Sequence, residues 1–187
     1  MRQAKITDET LFGRLTDVFR RKGYDGTSYA DLMKATGLVK ASLYHRFPGG
    51  KEEMVDAVLS NADRQFAEYV LAPAFERGEP DDRARVIARR LQEFYQSGKR
   101  WCLLDTLSLS DSVATLQHAR ESMNFWVDAF VRIGKDARLP PGVARKRAEE
   151  AIAAIEGGLV VARVMGNHRP FLRVLAELPG KLTGEKE

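Results

Sequence analysis

One cysteine, three histidines and no long apolar run set the first limits on this 187-residue chain. A lone Cys102 cannot close an internal disulfide, so a reducing cytoplasm is the expected compartment. No stretch nears the ~18 apolar residues that a membrane span needs. The opening MRQAKITDET holds no apolar core for a secretion signal, so no membrane partner is expected. His45, His118 and His168 lie far apart and show no HExxH-like spacing, which leaves no metal site to expect. GxSxG, Walker and GxGxxG loops are also missing. The chain is therefore read as a non-enzyme without cofactors.

Segments alternating apolar and polar residues are missing too, so the reading is all-α. With 44% hydrophobic and 30% charged residues, the chain can bury a core. Its 30 Lys/Arg and 26 Asp/Glu are unevenly spread. Residues 1–51 carry ten basic residues, including Arg2 and Lys5, and five acidic ones; the remainder carries 20 and 21. A basic first quarter on a near-neutral body suits a head that binds a polyanion.

Thr7 N-caps a first helix, and Gly23 stops it. Ser28, with Asp31 three residues on, opens a second that stops at Gly37. A third runs from about Val39 to Phe47, where Pro48-Gly49-Gly50 breaks the chain. A long fourth spans roughly 51–71, followed by a linker over 72–80. Helices are predicted near 82–96, 112–133 and 143–166, with a short apolar segment at 101–107. A last helix starts at Arg169-Pro170 and is expected to end at Pro179-Gly180, before a frayed tail over 181–187.

Two short helices around a glycine turn, TSYADLMKATGLVKASLYHRF at 27–47, fit a helix-turn-helix, whose second helix enters the major groove. The run from Leu11 to Leu59 resembles the N-terminal domain of the TetR family, most specifically in LYHRF followed by Lys51-Glu52. The resemblance implies a three-helix, homeodomain-like head over 1–50. It also implies a helical ligand-binding and dimerisation domain over 51–187. Position by position, Thr27 and Ser28 are expected at phosphate, with Ser28 otherwise only a cap. Lys40, Ala41 and Ser42 face the groove, Tyr44 and His45 reach phosphates or base edges, and Lys51 meets the backbone. Leu43 and Phe47 are read as core. Two features depart from the family pattern. Val39 stands where a Ser or Thr often caps the recognition helix, and the Pro48-Gly49-Gly50 turn is one residue longer than the commonest form.

The resemblance further implies a pocket for a small apolar or aromatic effector. Its expected lining is Phe66, Tyr69, Trp101, Cys102, Met123, Phe125, Trp126 and Phe130, with Asp105, His118, Asn124 and Glu156 as polar anchors. The helix near 143–166 carries two adjacent apolar stripes, too wide a face for a simple surface helix. One stripe packs inside the domain and the other needs a partner. This predicts a homodimer through Ile152, Ile155, Gly158, Leu159, Val161, Met165, Phe171 and Leu175. Arg83, Arg85, Arg89 and Arg90 read as a solvated helix face rather than a second nucleic-acid patch. The function expected is a repressor that binds a double-stranded DNA operator as a dimer and is released by its effector. The alternative is a ligand-independent DNA-binding or architectural protein.

Overall fold

The computed structural model describes residues 6–184, so Arg2, Lys5 and the end of the expected tail lie outside the described residues. Among these, nine α-helices form and no strand does. They are α1 (Asp8–Lys22), α2 (Tyr29–Thr36), α3 (Lys40–Arg46), α4 (Gly50–Phe66), α5 (Pro80–Phe94), α6 (Leu103–Leu107), α7 (Val113–Asp136), α8 (Pro141–Met165) and α9 (Arg169–Thr183). The chain divides into two compact units, 1–64 with 103–120, and 65–102 with 121–187. The boundary expected at 50/51 falls inside the first unit, because Met54, Val55, Val58 and Leu59 turn the inner face of α4 into core. No helix among the described residues is long and apolar enough to cross a membrane.

In the first unit the predicted start and stop signals act as physical caps. Thr7 accepts from the Thr10 amide, and Asp8 and Glu9 sit against the positive end of α1. Leu11, Leu15, Val18 and Phe19 form its buried stripe. Ser28 and Asp31 complete a reciprocal capping box on α2. Gly37 closes α2 at φ 74°, ψ 7°, a left-handed turn that only glycine adopts cheaply. Arg14 braces this end by donating to the carbonyls of Ala35 and Thr36. α6 packs on α1, where Thr106 donates to the Arg20 carbonyl.

In the second unit α9 lies along both α5 and α8. The Phe171 ring meets Tyr95 edge-on. A Cβ at Gly158 would stand 3.2 Å from the Phe171 Cα, so this glycine sets the close approach of α8 and α9. The α-helical part of α4 ends at Phe66, and a π-helical turn over Ala67–Leu71 and a 3-10 turn over Ala72–Phe75 replace the rest of the expected helix and part of the linker. Val70, Leu71 and Ala74 are fully buried there, which holds the turns in place.

Two expectations change. α9 continues through Pro179 to Thr183 instead of ending there. Leu178, Pro179 and Leu182 are buried, so the apolar face outweighs the one hydrogen bond that a proline forfeits. The four arginines of α5 do not form one solvated face. Arg83 is buried, donating to the Ala74 and Glu76 carbonyls and pairing with Asp136 at 2.8 Å. Arg90 donates to the Tyr69 carbonyl, and Arg85 pairs along its own helix with Asp81.

Candidate nucleic-acid interface

The recognition helix α3 has seven residues and no side-chain cap, since Val39 offers no acceptor. A helix this short is not stable alone. Leu43 and Phe47 anchor it from below, buried as the sequence implies. Lys40, Ala41, Tyr44 and His45 remain exposed, and Ser42 is half-buried. Five of the eight residues expected at DNA therefore lie together on α3. Arg46 reaches back to Asp8 at 2.5 Å, which ties the end of α3 to the start of α1.

The other three are placed differently. Thr27 is only 2% exposed, and its hydroxyl donates to the Gly23 carbonyl at 2.6 Å. It therefore closes the turn after α1 and presents no hydroxyl outward. Ser28 is exposed, but its hydroxyl is engaged with the Asp31 carboxylate at 2.7 Å. Lys22 grips the same carboxylate at 2.6 Å. These contacts, Lys22 first and then Ser28, hold Asp31 well below the usual carboxylate range. The Lys51 ammonium donates to the carbonyls of Tyr24 and Thr27 and lies 4.3 Å from the Tyr24 ring centre. One of its three donors is left for another partner.

Tyr29 was not singled out by sequence. Its ring stacks on Tyr44, centroids 5.2 Å apart and planes 12° apart. The Lys40 ammonium lies 5.2 Å from the Tyr29 ring and 5.7 Å from the Tyr44 ring. Only the aromatic residue at the start of α2 hinted at this, because the partners sit on different helices.

The residues expected to line an effector pocket stand in differing surroundings. Phe66 and Trp126 stack at 4.0 Å, Phe94 meets Phe66 edge-on, and Cys102 and Phe130 are buried. Met123 and Trp101 are half-buried, and Arg163 lies over the Trp101 ring. Tyr69 and Phe125 stand at the surface; Tyr69 donates to Glu93, and Phe125 stacks on Phe75. His118 sits in the first unit between two carboxylates of α4. Of the residues expected at a dimer interface, Ile152, Ile155, Leu159, Phe171 and Leu175 are core, and Gly158 abuts Phe171. Val161 and Met165 are exposed, beside Val164 at 78%.

A basic helical head that offers α3 outward, over a helix crossed behind a left-handed glycine, defines a DNA-binding helix-turn-helix protein. Residues 16–58 match the family model described as bacterial regulatory proteins, tetR family. The chain is similar to the HTH-type transcriptional regulator LmrA of Bacillus subtilis, at 27% identity across 93% of this chain and 95% of that protein. Its fold is similar to that of a TetR transcriptional regulator from Legionella pneumophila, with a TM-score of 0.82 at 20% identity over 94% and 97% of the two chains. It is likewise similar to a cysteine mutant of the TetR family regulator CifR, solved with 26-bp double-strand operator DNA. That match has a TM-score of 0.78 at 20% identity, over 95% and 98% of the two chains. These likenesses support a transcriptional regulator of the TetR family, a family of DNA-binding regulators and not of enzymes.

Proposed function

We propose that this chain is a cytoplasmic repressor that binds an operator as a homodimer and leaves it when a small apolar or aromatic effector binds the second unit. The observation that carries the DNA half is the exposed row Lys40, Ala41, Tyr44 and His45 on a helix whose other face is fixed by Leu43 and Phe47. Phosphate contacts position such a helix, and base-edge contacts give it sequence preference. CifR, solved on operator DNA, supports the same use of the fold. The dimer half draws on Val161, Val164 and Met165, an exposed apolar strip on α8. A ligand shifts the equilibrium only through unequal affinity for the bound and released conformers.

Selection of duplexes from a randomised library, followed by footprinting, tests the operator. A half-site repeat spaced by about one helical turn is the expected result, and a flat sequence profile counts against it. An aromatic and lipid-like compound library then tests release. The close stack of Phe66 on Trp126 favours a second reading, a DNA binder without an effector. That reading gains if no compound changes both tryptophan emission and operator affinity.

A further inference from the structure

One residue of the head lies beside both α3 and the turn before α4. α3 lacks a capping side chain at Val39, and the turn Pro48-Gly49-Gly50 leads into α4. Tyr29, the first residue of α2, reaches from the opposite side. A Cβ at Gly50, whose φ is 74°, would lie 2.9 Å from the Tyr29 hydroxyl and 3.8 Å from a Tyr44 ring carbon. The turn therefore closes directly against the tyrosine pair, and its positive φ at Gly50 favours glycine. The same phenol ring carries Tyr44 on its face and Lys40 above it.

We propose that Tyr29 is a positioning residue for DNA recognition, fixing the Lys40 ammonium and the Tyr44 ring on the outer face of α3 before DNA arrives. The inference rests on the reading that α3 meets DNA. Tyr44 is 41% exposed, and Lys40 stands on the first turn of a helix with no side-chain cap. Neither side chain is held from within the core. A stacked ring and a cation over two ring faces restrict both, so less side-chain freedom is lost at binding. Ordering the groups in advance raises affinity for the partner they match and leaves the number of contacts unchanged. Burial first, then the hydrogen bond with Tyr44, pushes the Tyr29 phenol up to about 12, so it stays neutral and keeps its proton at any physiological pH.

The probe is the duplex that the unaltered protein enriches from a randomised library, compared with mixed-sequence duplex of equal length. Tyr29→Leu keeps apolar bulk without a ring face, and Tyr29→Met is its companion should that protein not fold. Either is expected to weaken operator binding about three- to thirtyfold, the range of a cation–π contact with its ordering. Tyr29→Phe is expected to stay close to the unaltered protein. Combined with Lys40→Ala, the losses overlap in part: the double variant binds more tightly than the sum of the two losses predicts. Fully additive losses, or an operator affinity unchanged in Tyr29→Leu, overturn the proposal. Lys40→Ala with unchanged affinity and salt dependence removes the underlying DNA reading instead, and the proposal with it. A check without DNA uses the proton shifts of the Lys40 ε-methylene. Ring currents are expected to move them upfield in the unaltered protein and in Tyr29→Phe, and random-coil shifts in the unaltered protein overturn the proposal.

Discussion

Asp56 accepts from Nδ1 of His118 at 2.7 Å, across 62 positions of sequence. Asp63, two turns further along α4, faces the other ring nitrogen at 3.0 Å. A neutral imidazole carries one N–H, so bonding to both carboxylates calls for the imidazolium. Burial opposes that charge, but Asp56 and Asp63 outweigh it and raise the His118 pKa above 6.5. Glu52 and Glu53 of α4 line the cavity of about 200 Å³ beside the ring, and Ala114 and Thr115 of α7 add no charge. The bridge therefore pins the first turns of α7 to α4 inside the first unit.

The pH dependence follows from the sign of this shift. A raised pKa means that the bridge contributes fully below pH 6.5 and fades as pH rises through the folded value. His118→Gln is expected to lose about 1.5–3 kcal/mol in urea titrations below pH 6, the range for hydrogen bonds to charged groups. The gap to the unaltered protein should narrow toward pH 9. A gap that is constant over that interval would show that His118 contributes packing alone.

Lys40 and Lys51 should separate in two measurements. Lys40→Ala is expected to lower the salt slope of DNA binding by about one unit, with a smaller change in thermal midpoint than Lys51→Ala. Lys51→Ala strips two backbone carbonyls of their donor, so it should also lower the midpoint, by several degrees for a loss of about 1 kcal/mol. Equal midpoints for the two variants would show that the Lys51 contacts to Tyr24 and Thr27 carry little stability.

The two stripes of α8 are expected to fail differently. Val164→Glu and Met165→Glu place charge on exposed positions, and should give folded monomers in sedimentation if this strip joins two copies. Ile155 is 2% exposed, so Ile155→Asp should unfold the second unit instead. Folded dimers in both surface variants would move the interface away from 161–165.

Trp126→Leu asks whether the aromatic cluster is core or cover. Losing the stack on Phe66 from a close-packed interior is expected to cost about 2–3 kcal/mol in chemical denaturation. A loss below ~0.5 kcal/mol would mean that the ring rests over space already available to a ligand.

Most of the fold was legible because its signals are local. Thr7, Ser28 with Asp31, and Gly37 mark helix ends by chemistry that acts within four residues. Pro179 misled because its cost was outweighed at Leu182, whose burial against other helices no local pattern reports. The exposed face of α3 was legible, because Leu43 and Phe47 reveal which side points inward. Thr27 was not, since the same residue type serves a phosphate or closes a turn, and only the Gly23 carbonyl decides. Tyr29 and Lys51 act across helices 15 or more positions apart, beyond the reach of any periodicity.

Val39 is 62% exposed and holds nothing in place. Val39→Ser would itself add a cap of about 1 kcal/mol, so the position carries no obligation to the fold. Lys40 and Ala41 beside it are also exposed. Single substitutions at the entrance to α3 are therefore expected to leave the head folded. Such changes leave the scaffold beneath, fixed by Leu43 and Phe47, untouched.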